Sequence, residues 1–594
     1  MSKDIEDIRQ KIIDRHAGDE KQLEVIFSPA SRLLVEAPAG YGKTKTMISR
    51  IAYMLVTNQI PHPKKLLALT FSVNIAHKIK KDVEQQIPVL LQNTDFTIKV
   101  NEKISVANYH KFCKDVLRMQ GYSLHESLLL VDDFETVDEK SLQHQEALHL
   151  NFQDTNLLLK FGNAVNTKDK DFVSANLNRY CEIIIRDLLP AKLITYNALL
   201  TLTIKLFRDF PKIRNFYTKY FVAIIVDEYQ DTNWLSYWLL FLLVGKKTKV
   251  ILLGDSLQRI YGFIGAVPDV LEISKEKFGL IKISLDKNHR FSSNPEMLNL
   301  DANIRKNAEN PAAPYIEKTA RVIFDFHATQ SDEAQAVMER SLLLIKDNPG
   351  SKVAILVKQK KDNHNLEKIL NVFDKNKTPY FYGLFTDQEH PYIKFNKNCL
   401  LEFEKIIGAK EHITKKLAVE HVKQIEKIYD KSDSLVNALI ELLNIFWLRL
   451  FTDNAFFSND EKKFFVRETF EHNGLKQYIE FVEADIVFST VHAAKGLEWD
   501  FVIIPDMEQD SFPNKWGLCK NCLYKKTCVL SVTSKNENDF LEELSVFYVA
   551  VTRAKKQIYF SASSTQILDK INNTTSINLS CLINLPGILI PRME

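Results

Sequence analysis

Short apolar runs recur along this chain, and each gives way to glycine or to polar residues. Residues 33–35, 66–72, 104–110, 221–226, 249–253 and 281–285 carry the first set. Their apolar stretches barely alternate with polar residues, the pattern of strands covered on both faces in a parallel sheet. Helical spacing fills the intervals: Thr46, Met47, Ile48, Arg50 and Ile51 after the first run, Ala76 and Ile79 after the second. Residues 1–30 are also mostly helical in pattern. Residues 112–195 read as helical and polar, an insertion between two strands of the sheet. A second αβ pattern starts near residue 321, with a strand over 321–324, a helix over 331–346 and a strand over 353–357. From about 386 to 480 the pattern turns helical again, and strands resume at 486–490, 501–504 and 558–560. The last ~30 residues carry no readable motif, and no repeat, low-complexity tract or long glycine–serine linker interrupts the chain. The pattern predicts an α/β protein with parallel sheets and two inserted, mainly helical domains.

Composition changes this picture little. The chain has 594 residues, 45% apolar and 26% charged, an ordinary globular balance that suggests about four domains. The net charge of +3 is small for this length, so a nucleic-acid site is expected to be a local groove and not a basic coat. The N-terminus is charged and lacks an apolar signal core. No apolar run approaches ~20 residues, so no membrane span is expected. Seven cysteines without a signal peptide point away from structural disulfides and to a cytoplasmic location.

The chemistry gathers at the ends of the apolar runs. After Val35 come Glu36, Ala37, Pro38, Ala39, Gly40, Tyr41, Gly42, Lys43 and Thr44, and a helical pattern follows. Strand, glycine-rich turn and helix N-terminus together make a phosphate-binding loop, although Ala37 stands where a glycine usually opens it. Ala39, Gly40, Gly42, Lys43, Thr44 and Lys45 form the expected nucleotide set. Lys43 reaches the β- and γ-phosphates and the Thr44 hydroxyl holds Mg²⁺. Gln22, about twenty residues upstream, could read adenine with its amide, though taken alone it reads first as a helix-surface residue. After 221–226 come Asp227 and Glu228, the place where an ATPase needs a Mg²⁺ ligand and a general base. Gln258 follows 249–253 as a γ-phosphate sensor, with Tyr261 and Phe263 turned to a polymer groove. Arg290 follows 281–285 and could stabilise transition-state charge. The strand tips at Thr70, Phe71 and Asn74, and at Asn108, Tyr109 and His110, suit phosphate contacts and base stacking; taken alone, they read first as caps and core aromatics.

Cys519, Cys522 and Cys528 fall within ten residues of one another. Close C-x-x-C spacing lets two thiolates bind one metal ion, and the third can join them. The spacing leaves zinc and an iron–sulfur cluster both open. The fourth ligand has to arrive from elsewhere, from Cys399, Cys581 or a carboxylate.

In order and wording these motifs resemble those of superfamily 1 DNA helicases of the UvrD/Rep/PcrA type. The matching pieces are 39–44; Thr70, Phe71, Ser72 and Asn74; 227–231; Gly254, Asp255, Gln258 and Tyr261; 288–290; 490–498; and 548–554. The resemblance implies two RecA-like P-loop motor domains with parallel sheets, each with an inserted helical domain. It divides the chain into a first motor domain at 1–111 and 196–290 with an insertion at 112–195. A second motor domain follows at 291–385 and 481–594, with a short insertion at 386–480 and a cysteine loop at 514–536. It implies ATP with Mg²⁺, hydrolysis coupled to strand separation, and movement 3′ to 5′ on single-stranded DNA and at single/double-strand junctions. Arg290 and Arg553 are then γ-phosphate contacts, Glu498 touches the ribose and His289 lies beside adenine. Phe71, Asn74, Tyr109, His110, Tyr261, Phe263 and His492 become DNA contacts. The chain departs from the family at His289, usually tyrosine, at Ile264, usually arginine, and at 542–546. None of these departures touches the phosphate machinery, so they leave ATPase activity better supported than processive unwinding. The short second insertion and the cysteine loop motivate an alternative: a nucleotide-gated, DNA-sensing ATPase subunit of a larger complex, for example with a nuclease in anti-phage defence.

Overall fold

The computed structural model describes residues 2–590 apart from 72, 93–98, 145–149, 261, 263–264, 359–360, 362, 387–388, 409, 411, 454–456, 472, 516, 523–527 and 568–573. The chain forms two compact units, Met1–Asn288 and His289–Glu594.

The first unit is built on a six-stranded sheet: β1 (Arg32–Glu36), β2 (Lys65–Thr70), β3 (Ile104–Asn108), β4 (Phe221–Val226), β5 (Lys249–Gly254) and β6 (Ile281–Ser284). Their spatial order is β3-β2-β4-β5-β1-β6, and every pairing is parallel. Successive side chains point to opposite faces, and both faces are covered. Leu34, Leu67, Leu69, Ile224 and Val226 enter one core. Leu33, Val35, Leu66, Ala68, Ala223 and Ile225 enter the other. Two buried faces explain why the runs show no alternation, and each such aliphatic side chain stabilises by roughly 1.5–3 kcal/mol. Because the strands are parallel, the phosphate loop, Phe71, Tyr109, Asp227 and Asp255 all follow the same edge of the sheet, where ligands bind in open α/β folds. Helices Phe152–Asn166, Lys170–Ile183, Tyr196–Asp209 and Pro211–Tyr220 fill the interval between β3 and β4.

The second unit repeats the theme with β7 (Ile323–His327), β8 (Val353–Val357), β9 (Phe381–Gly383), β10 (Ile486–Thr490), β11 (Trp499–Ile504) and β12 (Ala554–Ser563). The order is β7-β12-β11-β8-β10-β9, again all parallel. Three-residue β9 lies at an edge and is too short for a hydrophobic period to announce it. Helices His390–Ile407, Lys415–Ile428, Ser434–Thr452 and Asn459–Glu471 are inserted between β9 and β10.

One of these helices bears on the expectation that no segment spans a membrane. Ser434–Thr452 is long and apolar enough to cross a membrane, with mean hydropathy 1.5 in its most apolar window. Its apolar residues serve a protein core: Leu439, Leu442, Leu443, Phe446 and Leu450 are buried. Phe446 lies 5.1 Å from Phe470 and 5.5 Å from Tyr478, ring centre to ring centre.

Part of the C-terminal stretch, unreadable in sequence, pairs with the rest of the second unit. Ile588–Leu589 pairs with Ala320–Arg321, and Gly587 O and Pro586 O accept bonds from Asn303 and Asn307.

Candidate nucleotide-binding site

The phosphate loop leaves β1 and turns twice through left-handed backbone, at Gly40 (φ +84°) and Gly42 (φ +81°). Gly42 caps the helix Lys43–Val56, whose first-turn N–H groups lack intrahelical acceptors and carry the partial positive charge that suits phosphate. Gln22 braces this turn. Its Nε2 donates to Tyr41 O at 2.9 Å, its Oε1 contacts His16 Nδ1, and its side chain is buried. His16 in turn reaches Ser49 Oγ at 2.9 Å, and burial lowers its pKa to about 4. The amide expected to read adenine therefore holds the phosphate loop. A Cβ on Gly42 would stand 2.5 Å from Gln22 Nε2.

Opposite the loop, β4 delivers Asp227 and Glu228. Glu228 sits in left-handed backbone at φ +52°, an uncommon conformation for a non-glycine residue. Lys43 Nζ lies 3.2 Å from Asp227 Oδ1 and also contacts Glu228 Oε1. Burial works against the Lys43 charge, but the two carboxylates outweigh it and its pKa is raised. Burial likewise lifts Asp227 above the usual carboxylate range despite Lys43. From Glu228 a hydrogen-bond chain runs on. Gln230 Nε2 donates to Glu228 Oε2 at 2.5 Å, Gln230 Oε1 accepts from Asp255 N at 3.1 Å, and Gln258 Nε2 donates to Asp255 Oδ2 at 2.8 Å. The γ-phosphate sensor expected at Gln258 is thus wired to the expected base. Gln230 and Asp255, which complete the wire, lie inside the recognised motifs but carry no signature of their own. Thr70 Oγ1, at the end of β2, is buried with no hydrogen-bond partner among the described residues, a donor left over beside this polar set.

Comparison with known families decides what this site belongs to. Residues 19–279 match the UvrD/REP helicase N-terminal domain, and residues 397–565 match the UvrD-like helicase C-terminal domain. The chain belongs to the UvrD family of superfamily 1 helicases. It is an ATP-dependent DNA helicase and so a hydrolase. Relatives match over nearly its whole length. The ATP-dependent DNA helicase PcrA of Staphylococcus aureus is 24% identical over 640 residues, covering 92% of this chain and 83% of the relative. A probable DNA helicase II homolog of Mycoplasma genitalium is 25% identical over 649 residues, covering 95% and 87%. None of these matches points to the nuclease-partnered subunit.

In the second unit of this UvrD-family helicase, Arg290 pairs with Glu498 and donates to Thr552 O. The expected γ-phosphate and ribose contacts therefore hold each other. Arg553 is 4% exposed and donates to Val549 O, Leu497 O and Thr552 Oγ1 at 3.0–3.2 Å. His289 is exposed. His492 is half-buried, and burial first, then Lys358, Lys495 and Lys476, lowers its pKa to about 4.

The expected DNA contacts separate. Phe71 is half-buried at the end of β2. Tyr109 is corrected: it is 2% exposed in the core, because Asn108 caps the helix Tyr109–Gln120 and the first ring of that helix turns inward. It is no stacking platform in this conformation. His110 packs edge-on against Tyr196 at 5.6 Å, and burial lowers its pKa to about 4. Tyr261, Phe263 and the Asn74 side chain lie outside the described residues.

Two further clusters stand in the second unit. Cys519, Cys522 and Cys528 line one small cavity together with Cys581. Glu333, Asp506 and Glu508 are all buried, with oxygens within 4.8 Å of one another. Asn365 donates to Glu333 and Asp506, and Ser561 and Ser563 donate to Glu333 and Glu508. Burial, then the neighbouring acids, raises Glu508 to about 9 and Glu333 to about 7. Their hard oxygen donors are those of a divalent-cation site, but the trio also fits shared protons.

Proposed function

We propose that this helicase moves 3′ to 5′ along single-stranded DNA and loads at single/double-strand junctions, with ATP hydrolysed on the loop of the first unit. The observation that carries the reading is the continuous polar chain from Lys43 through Glu228, Gln230 and Asp255 to Gln258. Lys43 holds both acids of β4. A triphosphate on the loop offers Lys43 a better partner, and its departure leaves Glu228 as an ionised base for water. The residue that binds phosphate then also unmasks the base, so hydrolysis waits for substrate. Thr44 and Asp227 supply the hydroxyl and carboxylate oxygens that suit Mg²⁺, which when bound neutralises charge on the β- and γ-phosphates. Arg290 and Arg553 we assign to charge stabilisation on the γ-phosphate, each after leaving its present partners, and Glu498 and His289 to ribose and adenine. Phe71 and His492 remain the DNA contacts we assign among the described side chains. Cys519, Cys522 and Cys528 we assign to a metal ion.

ATP turnover with and without single-stranded DNA, in wild type and Lys43→Ala, tests this. DNA should stimulate the wild type strongly and leave the variant inactive. Because Lys43 neutralises the buried Asp227 and the half-buried Glu228, its loss also costs stability, so circular dichroism is recorded in parallel. DNA-independent turnover in the wild type would count against a translocating motor. Direction is read with substrates bearing a 3′ or a 5′ tail, and unwinding from the 5′ tail alone would reverse the assignment.

A further inference from the structure

We propose that Cys519, Cys522, Cys528 and Cys581 form a four-thiolate site for one zinc ion, with Cys581 fastening the C-terminal segment to the loop after β11. The proposal rests on the metal-binding reading of the cysteine loop and is independent of the helicase reading.

The four thiols line a single cavity, with Leu518 and Val529 among its apolar walls. Cys519, Cys528 and Cys581 are buried, and Cys522 is half-buried. All are free thiols, and Cys528 and Cys581 are within hydrogen-bonding reach of each other. The space among them is about 10 Å³, room for one water-sized sphere. A single ion fits that volume and a multi-iron cluster does not. Four soft sulfur donors with no open position make a closed structural site; such donors suit zinc or an iron–sulfur cluster, and the single-ion volume favours zinc.

Local backbone aims the ligands. Leu518–Asn521 forms a short 3₁₀ turn, with Cys522 N donating to Cys519 O at 3.4 Å, which brings the first two thiols to one side. Cys528 adopts φ +46°, an uncommon conformation that places its thiol near Cys581. Cys581 arrives by pairing between distant segments. Gln509 N donates to Asn578 O at 3.0 Å, Ser580 N donates to Met507 O at 2.9 Å, and Glu508 bridges Leu579 antiparallel. The start of the loop is pinned as well, because Asn514 N donates to Glu543, which pairs with Lys358. Cys399 is excluded as the fourth ligand: it is fully buried in the helix His390–Ile407, where its carbonyl accepts from His421.

Among the described residues no three of these sulfurs lie within 4.8 Å of one another. A bound ion must therefore draw Cys519 and Cys522 toward the Cys528–Cys581 pair. Metal binding is in this way coupled to how firmly the C-terminal segment is held.

The test uses the full chain, purified under reducing conditions, with metal content measured by plasma mass spectrometry. Wild type and Cys399→Ser should carry about one zinc per chain, and Cys581→Ser should bind it on the order of 100-fold more weakly. Cobalt(II) in place of zinc should give a four-thiolate spectrum in wild type and lose thiolate charge-transfer intensity in Cys581→Ser. If Cys522→Ser loses metal while Cys581→Ser keeps both its zinc and its cobalt spectrum, Cys581 is not a ligand and the three-cysteine reading survives. Wild type free of metal with a Cys528–Cys581 disulfide, or carrying iron with a broad visible absorption, would overturn the zinc site altogether. To separate ligation from misfolding, a chelator is applied to wild type. Removing zinc should open the segment after residue 577 to protease while DNA-stimulated ATP turnover persists. Equal protection with and without chelator would refute the fastening role.

Discussion

Lys43 and Glu228 show how much of this site depends on single charges. Each is partly satisfied by the other, so removing one alters the protein at both ends of the pair. Glu228→Gln keeps the shape of the side chain and should still bind ATP, while hydrolysis falls by about 10²–10⁴-fold. A filter-binding assay beside a turnover assay separates the two, and near-normal turnover would remove Glu228 as the base. Gln230→Ala cuts the wire between Glu228 and Asp255 without touching phosphate; we expect ATP binding to survive and kcat to fall by about tenfold. The buried acids of the second unit make a different prediction. In the fold Glu333 and Glu508 keep their protons to about pH 7 and 9, whereas an unfolded glutamate loses its proton near pH 4.3. Between those limits the folded state binds more protons than the unfolded one. Stability should therefore fall as pH rises from about 5 to 9 and level off above. Thermal midpoints across that range should drop for wild type and drop less for Glu508→Gln; equal slopes would mean the trio holds no shared protons.

At the scale of elements, the phosphate loop is a turn braced from behind. The helix Glu20–Phe27 contributes Gln22, and Asp19 caps that helix by accepting from Gln22 N at 3.0 Å. One short helix thereby fixes the carbonyl that precedes Gly42. Gly42→Ala forces a Cβ into left-handed backbone, at about 1–2 kcal/mol, and against the Gln22 amide. We expect a lower thermal midpoint and at least about tenfold weaker nucleotide binding, read by scanning fluorimetry and by titration of a fluorescent nucleotide. The helix Ser434–Thr452 teaches a related lesson. Its apolar length satisfies the composition of a membrane span, yet Arg449 stacks 3.8 Å over Phe481 and the buried aromatics close a bundle. Hydropathy alone does not separate the two solvents; the covering neighbours do.

At the scale of the whole molecule, each unit carries its own sheet and core, so damage can be confined to one of them. Residues 578–590 belong to the second unit: Leu582 and Ile583 are fully buried and Leu585 nearly so. Ending the chain after residue 577 would remove all three from the core, at roughly 1.5–3 kcal/mol each before relaxation. The same truncation removes the pairing with Ala320–Arg321 and the contacts to Asn303 and Asn307. We expect the second unit to melt earlier, while nucleotide binding at Lys43, in the first unit, persists. Calorimetry with a nucleotide titration checks both halves of that statement, and an unchanged melting profile would show the segment to be dispensable.

The amino-acid order by itself determined the strands other than β9, their burial on two faces, the phosphate loop and the acids after β4. Each of these rests on residues that are neighbours in sequence and are fixed by local backbone geometry or by a period. It also spelled out the motif series that marks the family. Tertiary structure alone decided the rest. Tyr109 turns into the core because Asn108 caps a helix there, and Gln22 faces the loop because the helix Glu20–Phe27 packs behind it. Cys581 meets Cys528, and Glu333 meets Glu508, through pairings of segments far apart in the chain. Such contacts leave no periodic mark, because their free energy comes from burial and hydrogen bonding that exist only once the distant segments have packed.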